Sequence, residues 1–292
     1  MFEDQASSLR KKLKQDNPLH DLKQAKTVSI ISGKGGVGKS NVALNLSLEL
    51  VSQKNRVLLF DLDIGMGNID ILMGVPARKS IVNLLQNYER IEDIIETGPK
   101  GLGYIAGGSG LNELFSLNKE SRDYFFEQYH KLVSSYDYII FDMGAGATKD
   151  TMSFILASDE CIVITTPEPT SITDAYGMIK HIVSNNLEMP MKVIMNRASS
   201  TKEGERALQR FREVVMRFLE VNVNALGILP DDKHVSQAVI RQIPYTIYNE
   251  NAPVSKAMKQ LAYHYTDNLP HDIQQSSRKT FLQKLKQLMT ER

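Results

Sequence analysis

The stretch "GKGGVGKS", residues 33–40, has the glycine and lysine spacing of a loop that binds phosphate. An apolar run precedes it and the helix-like stretch "SNVALNLSLEL" follows, so the order is strand, loop and helix. In such a loop the backbone N–H groups face the phosphates, and the following helix adds the positive end of its dipole. Lys39 is therefore predicted to bind the β- and γ-phosphates, and the Ser40 hydroxyl to ligate Mg²⁺. A chance glycine-rich turn is the alternative interpretation.

Carboxylates follow two other apolar runs. The stretch "FDLDIGMGNID" carries Asp61 and Asp63 one residue apart, so alternation along a strand points both side chains to the same side. The stretch "YIIFDMGAG" ends its apolar run at Asp142, which we expect to hold Mg²⁺ indirectly. For the first pair, two solvent-exposed loop acids are the alternative.

A third polar group follows the apolar run in "VIMNRAS", residues 193–199. The Asn196 amide can both accept from and donate to adenine, and the Arg197 guanidinium can stack on a purine ring. A guanine reader of the N-K-x-D type would carry aspartate where this chain has Ser199. The pattern therefore favours adenine, and with it ATP and ADP as the nucleotides.

Composition limits the class of protein. The 292 residues, 42% hydrophobic and 24% charged, can bury one large core or two small ones. A formal net charge of +1 does not indicate a nucleic-acid-binding protein, so no specific nucleic acid partner is expected. Cys161, the single cysteine, lies in an apolar run and is predicted to be a small core residue. Neither a membrane span of roughly 20 apolar residues nor a secretion signal is recognisable, so we expect a cytoplasmic protein.

Strand-length apolar runs alternate with helical patterns along the chain. They are "TVSIIS", "RVLLFDLD", "LGYIAG", "YDYIIFDMG", "CIVITTPEP", "KVIMNRA" and "ALGILPDD". Continuous apolar strands separated by helices predict an α/β fold, with a mostly parallel twisted sheet and helices on both faces. Ligands bind beyond the carboxyl ends of such strands, where the polar residues of these runs fall. The expected domains are an N-terminal extension (1–26), a P-loop domain (27–270) and a C-terminal helix (271–292).

Lys34 is a second lysine that the phosphate loop itself does not need. At the start of the loop, its side chain should point away from the phosphates that its own chain binds. The loop resembles that of the deviant Walker A ATPases of the MinD/ParA family, within the SIMIBI class, whose signature lysine reaches the nucleotide held by the other subunit. The resemblance implies an ATP-dependent homodimer and hydrolysis of ATP, with Lys34 acting in trans as an arginine finger does.

The same resemblance assigns further roles. Asp63 would orient the attacking water, which makes Lys34, Lys39 and Asp63 the catalytic set, and Asp61 would act near Mg²⁺ through water. The metal site would then comprise Ser40, Asp61 and Asp142, and the stretch "LPDD" resembles a second purine contact made largely by backbone. The full set expected to bind nucleotide is Gly33, Lys34, Gly35, Gly36, Val37, Gly38, Lys39, Ser40, Asn41, Asn196, Arg197, Pro230 and Asp231.

The second switch of the family departs from its usual pattern here. Gly146 stands where it would sense the γ-phosphate. Met143 and Gly144 replace the Ser-Pro or Pro-Pro of related sequences, so conclusions about how this switch moves do not carry over. Asp142 is unaffected by the replacement.

The C-terminal stretch "SSRKTFLQKLKQLMTER" has one apolar helical face on an otherwise basic segment, the pattern of a helix that lies in the membrane plane. A helix docked on its own core is the alternative. One copy should bind anionic lipid weakly, and two copies in an ATP dimer would gain avidity. The predicted membrane residues are Phe281, Leu282, Leu285, Leu288 and Met289, with Lys284 and Lys286.

The N-terminal extension repeats apolar residues at Phe2, Ala6, Leu9 and Leu13, the spacing of a short amphipathic helix that would fold on a partner. A disordered tail is the alternative. The stretch "DQASSLR" resembles the D-Q-A-x-x-L-R motif of FlhG-type flagellar number regulators, a branch of the MinD/ParA family. That resemblance implies activation of the SRP-type GTPase FlhF through Asp4, Gln5, Ala6, Leu9 and Arg10.

The sequence thus leads to one hypothesis with two rivals. We expect an ATPase that switches between a cytoplasmic monomer and an ATP-bound dimer on an anionic membrane surface, and that controls flagellar number and placement through C-ring components. The first rival is a MinD-type regulator of the division site. The second is a DNA-partitioning ATPase, which would retain DNA in an ATP-dependent and salt-sensitive way.

Overall fold

The computed structural model describes residues 24–63, 67–107, 119–144, 146, 149–186, 188–267 and 279–290. Every predicted apolar run forms a strand in this part of the chain. The strands are β1 (Lys26–Ile31), β2 (Val57–Leu62), β3 (Glu96–Thr97), β4 (Gly103–Ile105), β5 (Tyr138–Met143), β6 (Glu160–Thr165), β7 (Met191–Ala198) and β8 (Asn224–Pro230). Periodicity did not predict β3, because two residues are too few to show a pattern.

The described strands form one sheet in the order β3-β4-β2-β5-β1-β6-β7-β8. All pairings are parallel except that of β3 with β4. The strands β2, β5 and β6 are buried along their whole length, which is why their sequences read as continuous apolar runs. The predicted α/β fold with a mostly parallel sheet is confirmed.

Helices cover both faces of the sheet, and each face carries its own hydrophobic core. In the described residues, the α-helices as far as residue 185 are α1 (Lys39–Ser52), α2 (Ile69–Met73), α3 (Ile81–Asn87), α4 (Lys119–Leu132), α5 (Lys149–Ala157) and α6 (Pro169–Asn185). They are followed by α7 (Thr201–Leu219), α8 (Lys233–Ile240), α9 (Tyr245–Tyr248), α10 (Pro253–Asp267) and α11 (Phe281–Thr290). One core includes α1, α2 and α8 to α10, and the other includes α3 to α7 and α11.

Parallel pairing brings the functional strand ends to one edge of the sheet. The central strand β1 leads into the phosphate loop and pairs with β5 on one side and β6 on the other. Asp61 of β2 and Asp142 of β5 are direct register partners. Two carboxylates that are far apart in sequence therefore lie side by side next to the loop.

The C-terminal helix α11 is docked on the core of its own chain. Phe281, Leu285 and Met289 are buried, and the Phe281 ring stacks on Phe141 with 5.1 Å between centroids. The Phe281 ring also packs on Tyr129, with 5.1 Å between the ring centroids. The arrangement is the alternative left open by the sequence pattern, because a face that suits lipid also suits an aromatic groove. The helix begins at residue 281.

The rest of α11 faces outward or lies at the rim of the groove. Leu282 and Leu288 are partly buried against the core, and Lys286 is exposed. Lys284 Nζ lies 3.5 Å from Asp159 Oδ1. Within the described ranges, no helix is long and apolar enough to cross a bilayer.

Candidate nucleotide-binding site

Residues 32–38 connect β1 to α1 and form the predicted phosphate loop. Gly38, just before α1, has a φ of 88°, in the left-handed region that glycine adopts most readily. A Cβ atom at this position would lie 2.5 Å from Asn196 Nδ2. Gly33 is needed for packing instead, because a Cβ atom there would lie 2.1 Å from the backbone oxygen of Asp174 in α6. The loop therefore has little room for other residues at these two positions.

Lys39 starts α1 and lies among acidic side chains. Its Nζ donates to Asp142 Oδ1 at 2.6 Å and lies 3.8 Å from Asp63 Oδ2 and 3.4 Å from Ser40 Oγ. Lys39 and Asp142 are both buried. Because a buried charge without a partner is strongly destabilising, the two residues hold each other in place. Lys39 and Ser40 of α1, Asp63 after β2 and Asp142 of β5 thus meet in one site, as predicted residues of three separate segments.

The Asp61 carboxylate is hydrogen-bonded to the segment that follows β2 and carries Asp63. Its Oδ1 accepts the N–H of Asp63 at 3.0 Å, and its Oδ2 accepts those of Asn68 at 3.0 Å and Ile69 at 3.3 Å. Both carboxylate oxygens are therefore engaged by the chain that follows β2. In this structure Asp61 shapes the segment that follows β2 and carries Asp63. Its contact with Mg²⁺ through water stays a prediction.

Burial shifts the pKa of both strand-end carboxylates upward. For Asp61, burial and then the nearby Asp142 raise the pKa to about 7, against the lowering effect of backbone hydrogen bonds. Burial also raises the pKa of Asp142, and the ammonium group of Lys39 opposes that rise. The close spacing of two buried carboxylates favours a cation next to them, since it would stabilise both in the charged form.

The oxygen groups of the site fit the predicted Mg²⁺. Asp142 Oδ2 is buried, and no hydrogen-bond partner for it exists in the described part of the chain. Mg²⁺ prefers carboxylate, hydroxyl and water oxygens, and it usually keeps several of its waters. Ser40 and Asp142 are thus suitable protein groups for a partly hydrated Mg²⁺ that also contacts phosphate.

Lys34 points away from the loop of its own chain, as expected. Its Nζ donates to Thr170 Oγ1 at 3.2 Å and to Glu168 Oε2 at 3.5 Å, at the start of α6. The Lys34 side chain is 42% exposed. Sequence reasoning missed both contacts, although the polar stretch "TTPEPTS" after the β6 run was a signal, because β6 is the direct neighbour of β1.

The second switch approaches the phosphate loop. The Gly146 N–H donates to the backbone oxygen of Ser32 at 3.4 Å, and Gly146 has a left-handed φ of 90°. Met143 is buried as the last residue of β5. Gly146 therefore lies beside the loop, as a sensor of the terminal phosphate must.

The predicted base-binding residues lie at the ends of β7 and β8. Asn196 is buried, and its Nδ2 donates to the backbone oxygen of Val37 at 2.7 Å, so one of its donors supports the loop itself. Arg197 has a left-handed φ of 57° and lies with Nε 3.7 Å from Asp231 Oδ1. The backbone at Pro230 pairs with β7, and both Arg197 and Asp231 are exposed. Such strain in a non-glycine residue is common at ligand sites.

Two predicted groups do not join this site. The apolar residues predicted to contact membrane belong to α11, which packs on α4, α5 and the middle of β5. The GTPase-activating group, Asp4, Gln5, Ala6, Leu9 and Arg10, lies outside the described residues. Residues 108–118 and 64–66 also lie outside them.

A parallel sheet with a glycine-rich loop after its central strand, and with buried acids on neighbouring strand ends, defines a P-loop nucleotide-binding protein. Residues 28–245 match the family described as CobQ/CobB/MinD/ParA nucleotide binding domain. The chain belongs to this MinD/ParA family, and that membership implies an ATPase.

Two curated relatives are of the FlhG type. The antiactivator FleN of Pseudomonas aeruginosa is 31% identical over 245 residues, which cover 84% of this chain and 85% of FleN. The flagellum site-determining protein YlxH of Helicobacter pylori is 36% identical over 216 residues, 73% of this chain and 72% of YlxH. FleN and YlxH are other names of FlhG, so the resemblance found in the sequence is confirmed.

Solved structures agree on the fold. A chain of the MinC:MinD cell division complex of Aquifex aeolicus has a TM-score of 0.69 at 25% identity and covers 85% of this chain and 99% of its own length. MinD of Pyrococcus horikoshii, solved with Mg-ADP, has a TM-score of 0.67 at 24% identity and covers 87% of this chain and 100% of its own.

Proposed function

We propose that this chain is an ATPase that controls flagellar number and placement by cycling between a monomer and an ATP-bound homodimer on the membrane. The names of the relatives FleN and YlxH support the flagellar assignment over the division-site and DNA-partitioning alternatives. In the proposed cycle the dimer activates the GTPase FlhF and acts on C-ring components. Hydrolysis of ATP returns the monomer.

The orientation of Lys34 is the observation that carries this proposal. Lys39, Asp63 and Asp142 converge on one point, whereas the Lys34 ammonium lies at the exposed start of α6. A lysine placed there can serve the nucleotide of a second copy but is badly placed to serve its own. The catalytic set is thus incomplete in one chain, which couples hydrolysis to dimerisation.

Each residue of the site has a distinct task in phosphoryl transfer to water. Lys39 binds the phosphates, and Asp63, held by the Asp61 carboxylate, orients the water that attacks the γ-phosphate. Mg²⁺ would neutralise charge on the phosphate oxygens. The partner's Lys34 would stabilise the charge that develops on the transferred group, as trans donors do in other nucleotide hydrolases.

The docked position of α11 supports a link between the nucleotide and the membrane. Phe281 stacks on Phe141, the residue before Asp142, and packs on Phe154 of α5 with 5.9 Å between ring centroids. The helix α5 follows the second switch in sequence. A shift of Asp142 or of the second switch in the ATP dimer would therefore disturb the groove and release the apolar face of α11 to lipid.

Blocking hydrolysis is expected to trap the membrane-bound dimer. With Mg²⁺ and ATP, Asp63→Ala should elute as a stable dimer and cofloat with anionic liposomes, because ATP binds but its water is not oriented. Size-exclusion elution and liposome flotation measure this directly. Asp70→Ala, in the same segment but without a contact to Lys39, is the matched control and should behave as wild type. An Asp63→Ala chain that stays monomeric with ATP would contradict the proposed switch.

Activation of FlhF is expected to depend on Gln5 and Arg10. Replacing either residue by alanine should lower the GTP turnover of purified FlhF by about tenfold or more, since a residue supplied in trans has effects of this size. ATP hydrolysis by the chain itself should not change. Ser7→Ala and Ser8→Ala, at the variable positions of the motif, are the controls. Equal stimulation by all four variants would remove this part of the proposal.

The exposed face of α7 is the described surface best suited to C-ring components. Lys202, Arg206, Arg210 and Arg217 are exposed along it, and Glu213 lies among them. The Phe218 side chain nearby is 64% exposed. An acidic segment with apolar side chains would complement such a face.

Charge reversal on α7 tests this assignment. Arg210→Glu should weaken the binding of purified C-ring proteins by about tenfold, which corresponds to about 1.4 kcal/mol. Lys259→Glu, an exposed reversal on α10, is the control for a general charge effect. Binding assays at two salt concentrations measure both. Unchanged binding by Arg210→Glu would move the C-ring site elsewhere.

A further inference from the structure

Five aliphatic side chains in the described chain are exposed to solvent near the end of α2 and around the turn after α8. We call them the apolar patch: Ile71, Val239, Ile240, Ile243 and Ile247, which are 54%, 38%, 81%, 38% and 39% exposed. Single exposed apolar residues are ordinary, but contiguous ones on a soluble domain usually mark a binding surface. None of these residues has a task in the nucleotide site.

Two distant segments form the patch. Gly74, at the end of α2, lies so close to the turn after α8 that a Cβ atom on it would be 2.7 Å from the Gln242 backbone oxygen. Gln242 has a left-handed φ of 55°, and the Ile243 N–H donates to the backbone oxygen of Ala238. These two features fix the shape of the turn, from which the aliphatic side chains project outward. Thr246 anchors α9 to Asn45 of α1 through two hydrogen bonds. The patch is therefore rigid and ready to bind.

We propose that the apolar patch binds the amphipathic N-terminal segment of the same chain, residues 2–13. The apolar positions of this segment, Phe2, Ala6, Leu9 and Leu13, recur at helical spacing and match an aliphatic surface in chemistry. A helix this short is unstable alone and gains order only by burying that face. The apolar patch supplies a surface on which the segment can bury its apolar face.

The chain can reach the patch from its first described residues. Lys26, at the start of β1, lies with Nζ 5.0 Å from the Tyr265 ring near the end of α10. At the other end of α10, Ser255 donates to the Tyr245 backbone oxygen in α9. The distance along α10 between these contacts is about 15 Å. Residues 14–23 can span about 33 Å when extended, so the linker is long enough.

Attachment to the same chain also makes a weak contact sufficient. A flexible linker of this length gives an effective concentration in the millimolar range, so a contact with a dissociation constant of about 1 mM is already populated. A free partner helix with the same contacts would not stay bound. The patch therefore favours the tethered segment over a separate helix.

Docking would control when the activator is available. In the docked form Leu9 is covered by the patch, and the segment cannot fold on a partner GTPase at the same time. This consequence rests on the proposed function, whereas the docking itself does not. The two can be tested separately.

Disulfide formation in the full chain tests the docking without nucleotide or GTPase. One variant carries Ala6→Cys with Gln242→Cys, in the turn between the patch residues Ile240 and Ile243, and the control carries Ala6→Cys with Lys202→Cys on α7. Cys161 is buried and does not compete. Under mild oxidation of dilute monomer, the first pair should form an intrachain disulfide at least about tenfold faster than the control, because docking raises the local concentration of the two thiols. Mobility on non-reducing gels and mass spectrometry measure the rates.

Adding Ile240→Asp to the first pair should reduce its rate to that of the control. Ile240 is 81% exposed, so the change leaves the fold intact, and the thermal unfolding midpoint verifies this. Equal rates for the two pairs overturn the proposal. Disulfides that join two chains only also overturn it and assign the patch to a second copy. Because FlhF is absent, failure here leaves the proposed GTPase activation standing.

Discussion

Replacing Lys34 with alanine is expected to lower ATP turnover by at least about a hundredfold, since donors supplied in trans contribute several orders of magnitude in other hydrolases. Binding of ATP to the monomer should change little, because Lys34 contacts Glu168 and Thr170 rather than the loop of its own chain. Steady-state hydrolysis and equilibrium binding of a fluorescent ATP analogue separate the two effects. Lys54→Ala, which replaces an exposed lysine two residues after the end of α1, is the control.

Mixing two inactive variants gives the sharper form of this test. A Lys34→Ala subunit keeps its own Asp63, and an Asp63→Ala partner can still supply Lys34. Each mixed dimer therefore contains one complete site. An equal mixture should regain about a quarter of wild-type turnover, since about half the dimers are mixed and each has one working site. Without any recovery on mixing, Lys34 would have to act within its own chain.

Opening the groove under α11 is expected to cause membrane binding without ATP. Tyr129→Ala removes a ring whose centroid lies 5.1 Å from that of Phe281, and leaves every residue of α11 unchanged. Loss of a buried aromatic side chain lowers the free energy of unfolding by about 3–5 kcal/mol. Part of that loss is the contact with Phe281, so α11 docks more weakly. Each 1.4 kcal/mol of weaker docking should raise the released fraction about tenfold. Flotation with anionic liposomes in the absence of nucleotide measures the release.

General destabilisation must be distinguished from release of the helix. Phe211→Ala removes another buried aromatic ring, on α7, from the same core but not from the ring cluster around Phe281. It should lower the thermal unfolding midpoint as Tyr129→Ala does, without liposome binding. Lipid binding by both variants, or by neither, would mean that docking of α11 does not control access to the membrane.

Much of the fold and of the nucleotide site could be predicted from sequence because the signals are local. A strand buried on both faces has the sequence of an apolar run. Asp61, Asp63 and Asp142 lie at or just after the ends of two such runs, and Lys39 and Ser40 follow the glycine-rich loop after a third. In a parallel sheet the ends of these strands lie at one edge, so their meeting follows from the class of fold. The two-residue strand β3 carried no such signal.

Other features depend on which surfaces meet in three dimensions. An apolar helical face has the same spacing whether it binds lipid or an aromatic groove, so only the packing of Phe281 on Phe141 shows that α11 docks. Sequence alone assigns Gly33 to the phosphate loop. Glycine is needed there because α6 lies too close to leave room for a side chain. The amide of Asn196 supports the loop through Val37, a contact between residues 159 positions apart.

By itself, the sequence determined the parallel α/β sheet, the phosphate loop and the acids around it, because each depends on residue type and spacing within one short segment. The second lysine of that loop, read by resemblance, also pointed to a second copy of the chain. Only the tertiary structure decided where Lys34 rests, what Asp61 holds, that α11 covers an aromatic groove, and that Ile71 joins the turn after α8 in one apolar patch. These depend on contacts between segments far apart in the chain, for which a single sequence carries no local signal.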